Sequence, residues 1–406
     1  MFQRRIPETL RYTPTPGVRG FALLAAIEAT ARGILISVFP IAMYRTFGDA
    51  QTVSEIYFAV GILSLLAALV TPGLTRFLPR RWLFSAGAVT MIAGAVCSSL
   101  GEGTWLLALG LAIITVATVV ITVCFNAYVM DYIARAALGE CEALRLFYSG
   151  AAWTIGPALG VWLMELWAPA PFVLSAVAAT ILLLVFWMMR LGNGKTIVRS
   201  RAMTPNPLTY LPRFLQQPRL VAGWTFAVVR SCGWWVYVVY LPIYAVEHGL
   251  SDQLGGTLLS LSNACLFLTP LMLRWMRGRV RYAVTLGFLL AGACFAAASL
   301  TNFDPRLAIV FLVAASFFLV LLDVCGGLPF LMAVRPSERT EMSAVYSTFR
   351  DVSGIVTPAV ARMVLLVAPL PALFALTSLG FALTGLVATR VHPRLGNRRV
   401  LALASD

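Results

Sequence analysis

Arg190-Leu-Gly-Asn-Gly-Lys195-Thr-Ile-Val-Arg199-Ser-Arg201-Ala-Met-Thr-Pro205-Asn-Pro207 opens the longest polar stretch of the chain, which runs to about Pro218, and its position decides the fold. Six apolar runs precede it, near 20–44, 53–74, 82–100, 105–132, 145–167 and 172–189. Six follow it, near 221–246, 254–273, 282–300, 307–333, 342–366 and 372–391. A hydrocarbon core about 30 Å thick needs roughly 20 apolar residues per helix, so each run reads as a membrane span. Chain organisation follows as 1–189, a linking loop 190–218, and 219–406.

The charges agree with that count. Of 31 Lys and Arg, 25 lie in the N-terminal tail, the even-numbered loops and the C-terminal tail. The odd-numbered loops hold only Arg45 and Arg306, while Arg32, Arg230, Arg350 and Arg362 lie inside spans. The positive-inside rule then puts both termini on the cytoplasmic side of an inner membrane. Arg4, Arg5, Arg11 and three prolines precede a first run long enough to cross, so a cleavable leader is not expected.

Composition excludes other classes. The chain is 60% hydrophobic and 12% charged, with mean hydropathy +0.85, unlike a soluble globular protein. Its net charge of +14 is spread over short loops on one face, which argues against nucleic acid. The seven cysteines fall in or beside spans and read as small buried residues. With two histidines, His248 and His392, and no glycine-rich phosphate loop, no metal, cofactor or ATP-driven machinery is expected. No His/Cys/Ser constellation stands at membrane depth, so the chain does not read as an enzyme.

The halves repeat one another. Thr71-Pro72 recurs as Thr269-Pro270, Arg76-Phe77 as Arg274-Trp275, and Ala93-Gly94-Ala95 as Ala291-Gly292-Ala293, all 198 positions on. Phe39-Pro40-Ile41 parallels Leu241-Pro242-Ile243 at 202, and Cys124 and Pro157 parallel Cys325 and Pro358 at 201. The shared order makes a duplication credible.

Six plus six spans about a basic central loop resemble the major facilitator superfamily, over essentially the whole chain. The resemblance implies an all-α fold of twelve transmembrane helices in two six-helix bundles. It also implies a small-molecule substrate bound near the midplane, alternating access and a monomer. The family's second-loop motif, Gly-x-x-x-Asp-Arg-x-Gly-Arg-Arg, is met loosely by Gly73, Arg76, Arg80 and Arg81, without its Asp. Gly150-Ala-Ala-Trp-Thr-Ile-Gly156-Pro157-Ala-Leu-Gly160 is similar to the antiporter signature Gly-x-x-x-Gly-Pro-x-x-Gly-Gly, lacking two glycines; close helix packing explains the same residues. The central Arg of the fourth span is absent, and Thr115, Thr118, Thr122 and Asn126 stand there instead.

A charge inside a span is costly and should face a partner or a wet cavity. Glu28 and Arg32 share a face of span 1 at i, i+4, and Arg230 lies at matching depth in span 7. Spans 1 and 7 line the cavity in the superfamily, so all three are expected to face it. Burial raises a carboxyl pKa and a neighbouring guanidinium lowers it, so an acid at this depth can load and release protons. Glu28 is therefore the first candidate for proton coupling. Asp323, in span 10 without a charged neighbour one turn away, is the second, with Arg350 its expected partner. In a rival reading Arg32 and Arg230 clamp an organic anion or organophosphate for exchange. A network that merely joins the halves is the structural alternative.

Asn126 and Trp234 are candidate cavity residues. Trp234 stands one turn from Arg230, whereas Tyr244 is expected in an interfacial aromatic belt. Arg76, Arg80, Asp131, Arg135, Arg145, Arg274 and Arg350 read as a cytoplasmic gate of salt bridges. The sequence thus predicts a proton-coupled secondary transporter, with efflux slightly favoured. The alternative outside transport is a membrane assembly factor or sensor, and the very short loops speak against it.

Overall fold

The computed structural model describes residues 17–75, 77–101, 105–133, 137–189, 207–276, 279–334 and 338–390. Both expected cytoplasmic termini and the loop up to residue 206 lie outside the described residues, as do Arg76 and Arg135. Among the described residues every regular element is helical.

Among the described residues, nine helical runs are long and apolar enough to cross a membrane: Val18–Phe47, Ala50–Leu74, Arg80–Leu100, Leu106–Tyr132, Ala170–Met188, Pro218–Glu247, Val280–Leu300, Pro305–Phe330 and Pro371–Ala388. The other three expected spans are helical as well. Span 5 is Leu138–Leu166, with Glu140, Glu142, Arg145 and Glu165 along it. Span 8 is Asp252–Ala264 and Thr269–Met276, joined by a tight 3-10 turn at Cys265–Leu268. Span 11 is Arg339–Ser347 and Phe349–Leu365, parted at Thr348.

Spans 1 and 7 are irregular at matching places. Span 1 runs Val18–Gly33, loosens into turns at 34–37 and resumes as Val38–Phe47. Span 7 runs Pro218–Trp235, passes through a π-helical turn at Val236–Tyr240, and ends as Leu241–Glu247. Pro40 and Pro242 explain both. A proline supplies no N–H, and its ring clashes with the carbonyl four residues earlier, here Ile36 and Val238. The Phe39-Pro40-Ile41 and Leu241-Pro242-Ile243 repeat thus encodes one deformation twice.

The chain divides into two compact units. The first holds the described parts of residues 1–35, 66–156 and 163–201. Its helices approach closely where glycine allows. A methyl group on Gly156 would meet the Gly33 carbonyl carbon at 2.6 Å, so the Gly156-Pro157 motif seats span 5 on span 1. Phe84 stacks on Phe186 at 4.0 Å, and Ser175 donates to the Ala31 carbonyl at 2.7 Å.

The second unit holds 36–65, 157–162 and 202–406. Here segments from the first half of the sequence fasten to the second at the arginine-poor ends of the spans. Ser54 and Tyr240 share a hydrogen bond of 2.7 Å, Arg362 Nε reaches Glu55 at 2.6 Å, and Arg45 pairs with Asp252. A methyl group on Gly61 would meet the Gly354 carbonyl oxygen at 2.7 Å. Asp49, in the turn before Ala50–Leu74, accepts from the Gln51 and Thr52 N–H groups at 2.9 Å each. Burial pushes its pKa up, but these bonds outweigh that and hold the carboxyl below its ordinary value.

At the arginine-rich end Phe214, Leu220, Phe330, Val334, Met342 and Val345 form a buried cluster. The short helix Pro207–Leu215 is pinned there by Arg213 on Glu338, which also accepts from Gln217 at 3.2 Å. Many large apolar side chains stay exposed, Leu66, Val89, Leu184, Leu379 and Leu383 among them. Lipid tails are as apolar as leucine, so such surface carries no penalty in a bilayer, and helix association rests on close packing.

Candidate functional site

Four charged groups lie at one depth along their own helices. Counted from the arginine-rich end, Glu28 is ten positions into span 1 and Arg230 twelve into span 7. Asp323 lies ten before Ala333 in span 10, and Arg350 eleven after Arg339 in span 11. At 1.5 Å per residue each is about 15–18 Å in, where an uncompensated charge costs most.

In the first unit Glu28 and Arg32 pair along one helix face, with Arg32 Nε 2.7 Å from Glu28 Oε1. The guanidinium carbon lies 5.2 Å from the centre of the Trp153 ring. Glu28 keeps 16% of its side-chain surface accessible and Arg32 35%. Arg32 is thus held by a carboxylate and an aromatic face, with part of it still open.

In the second unit Arg230 Nε lies 2.9 Å from Asp323 Oδ1. Trp234 Nε1 donates to Asp323 Oδ2 at 2.8 Å. The Arg230 guanidinium carbon stands 5.2 Å from the Phe349 ring centre, and that of Arg350 5.5 Å from the same ring. Arg230 is nearly closed off, with 11% of its side chain accessible, while Asp323 keeps 33%. The Arg230 Nε–H is not aligned on the carboxylate, so the contact is an ion pair rather than a good hydrogen bond. Two glycines follow where the helix Pro305–Cys325 ends, and a methyl group on Gly326 would meet the Leu322 carbonyl oxygen at 2.6 Å, with Arg230 in ordinary contact at 3.7 Å.

The partners differ from those expected. The sequence grouped Arg230 with Glu28 and Arg32 and offered Arg350 to Asp323; Arg230 holds Asp323 instead. Arg350 is exposed, and its side chain makes no salt bridge or hydrogen bond among the described residues, though its carbonyl accepts from the Ser353 hydroxyl at 2.9 Å. Asp131, expected with Arg135 on its own helix, pairs with Arg80. Arg145 binds Glu142 and donates to Asn126 Oδ1 at 3.1 Å. Arg274 is exposed. Tyr244 is no belt residue: it is fully buried and donates to Asn302 at 2.8 Å, because the span carries it inward against Phe374. Arg362, for which the sequence offered no partner, has Glu55. Sequence reading missed Phe349 and Trp153, whose only signal was position beside a charged residue or one turn within a span. No group of three or more His, Cys, Asp or Glu suited to a metal occurs among the described residues.

Helices of membrane-crossing length define a polytopic helical membrane protein. Residues 21–358 match the Major Facilitator Superfamily, and the chain belongs to that family. A comparison of the sequence with curated proteins found no match. Among solved structures it is similar to the nucleoside transporter NupG, at 14% identity and TM-score 0.68, covering 92% of this chain and 98% of that one. A POT family transporter in complex with 5-aminolevulinic acid aligns at 14% identity and TM-score 0.72, over 92% and 97%. A mutant of the peptide transporter POT aligns at 16% and 0.71, over 94% and 95%. At such identities the likeness shows the fold alone. Family and neighbours are transporters, not enzymes.

Proposed function

We propose that this chain is a proton-coupled secondary transporter that moves a small organic solute across the inner membrane by alternating access, with export favoured. One observation carries the reading: two carboxylates, Glu28 and Asp323, stand at mid-span, each against an arginine and each partly accessible. A carboxylate so held exchanges its guanidinium partner for a proton when access changes. Glu28 is the principal proton site and Asp323 the second, with Arg32, Arg230, Trp234 and Asn126 serving the solute pathway. In this reading 1–189 and 219–406 are the two bundles, the 190–218 loop and both termini face the cytoplasm, and the protein works as a monomer. Arg76, Arg80, Asp131, Arg135, Arg145 and Arg274 belong to the cytoplasmic gate; Arg350, grouped with them in the sequence, stands about 16 Å beyond Arg339 and is left out of it.

The test is proton movement in everted vesicles carrying the protein, read with a pH-sensitive dye as solute pools are added. Wild type is expected to dissipate the pH gradient with one pool and Glu28→Gln is not. If Glu28→Gln matches wild type at every pH, the coupling role is lost. Exchange of an organic anion between Arg32 and Arg230 is the rival. The Asp323 carboxylate already occupies Arg230, which counts against it. Anion counterflow abolished by Arg230→Lys, where a fork becomes a point charge, would favour it.

A further inference from the structure

Arg350 is the oddest charge in the molecule. It stands about 15 Å or more into span 11, exposed, and its guanidinium makes no salt bridge or hydrogen bond among the described residues. An unpaired guanidinium at that depth is costly, and it lies over the face of Phe349, 5.5 Å from the ring centre. That stacking orients the guanidinium plane without using any of its five N–H donors. Asp351 follows on the same helix, but successive helical side chains point about 100° apart, and the two make no ion pair with each other or with any other described residue.

Asp323 is incompletely used in the opposite sense. A carboxylate offers about four lone-pair positions. Arg230 takes one oxygen through a misaligned contact, and Trp234 Nε1 takes the other. A third of the side chain remains accessible. The helix Pro305–Cys325 ends two residues later, so the negative end of its dipole adds to the attraction for a cation. Arg230 and Arg350 lie against the same Phe349 ring, so an open carboxylate and an open guanidinium are one ring apart.

We propose that Asp323 and Arg350 form a binding site for a small zwitterion, its ammonium on Asp323 and its carboxylate on Arg350, lying along Phe349 with Trp234 beside it. A simple anion on Arg350 would leave the open acceptor positions of Asp323 without a donor, and a simple cation on Asp323 would leave Arg350 uncompensated and repelling. Only a solute with both charges satisfies both groups. The proposal rests on the transporter reading and names its substrate class.

The experiment uses purified full-length protein and a ladder of ω-amino acids from β-alanine to 8-aminooctanoate. Each is offered with its methyl ester, a cation only, and its N-acetyl form, an anion only. Binding is read by titration calorimetry and by the shift in melting temperature. One rung is expected to bind at least tenfold tighter than its ester and its N-acetyl form. Arg350→Gln should erase the preference over the ester, and Asp323→Asn the preference over the N-acetyl form. Arg350→Lys, which keeps the charge, should retain part of the preference and controls for folding. No binding by any rung, equal binding of a singly charged form, or an acid-to-ester ratio untouched by Arg350→Gln would each overturn the site. Binding needs no proton flux, so the two readings fail separately. Zwitterion binding without proton movement removes the coupling, whereas proton-linked transport of a cation indifferent to Arg350 removes this site.

Discussion

Spans 1 and 7 are repeat partners, and each carries an arginine at the same depth, yet they use it differently. Arg32 pairs with Glu28 on its own helix, whereas Arg230 reaches across to Asp323 on span 10. The first pair moves as one body with its helix, so neutralising Glu28 frees a guanidinium and loosens no helix contact. The second pair is a tie between two helices, and neutralising Asp323 releases span 7 from span 10. In the proposed reading the first pair is a chemical switch and the second a mechanical one.

The largest break in that contrast should come from Arg230→Ala. It leaves a carboxylate unpaired at mid-span, which costs about 3 kcal/mol when one partner of a buried pair is removed. The melting temperature in detergent should fall by several degrees. Arg230→Met with Asp323→Leu should recover most of that loss while abolishing transport, since apolar replacements leave no orphan charge. A double variant no better than the single one would show that the pair does not act as a unit.

Trp234→Phe keeps a ring and removes the N–H on Asp323; loss of a hydrogen bond to a charged group predicts about 1.5 kcal/mol. Glu28→Gln should cost about 0.5 kcal/mol, the scale of an i, i+4 helix pair, and should act on transport rather than melting. If it destabilises as much as Arg230→Ala, the distinction between switch and tie collapses. The smallest effect belongs to Glu55→Gln. Its bridge to Arg362 is roughly half exposed on both sides, so about 0.5 kcal/mol or less is expected, vanishing in high salt.

Local features were legible in the sequence and distant ones were not. Glu28 and Arg32 could be paired from spacing alone, because four residues make one helical turn. The helical class, the positions of the apolar runs and the family followed from hydropathy, charge bias and repeat order. Arg230 and Asp323 are 93 positions apart, and Arg362 and Glu55 are 307 apart. No periodicity encodes such contacts, since they depend on which helix faces which. Tyr244 was misplaced because a tyrosine near a span end fits a lipid interface as well as a buried bond to Asn302. The proline repeat in spans 1 and 7 is visible as a match, but a match does not say whether the backbone answers with open turns, as at 34–37, or with a π turn, as at Val236–Tyr240.

The π-helical turn at Val236–Tyr240 bears on how such a chain can change its length. A single deletion inside an ordinary helix rotates everything beyond it by about 100°; at Val228 it would swing Arg230 out of reach of Asp323. A π turn already holds one residue more than an α turn. Losing Val238 would remove that extra residue while the residues on both sides keep their facing, with Pro242 still bending the backbone. Span 7 therefore contains one narrow window where an insertion or deletion, elsewhere ruinous in a membrane helix, preserves the alignment on which the rest depends.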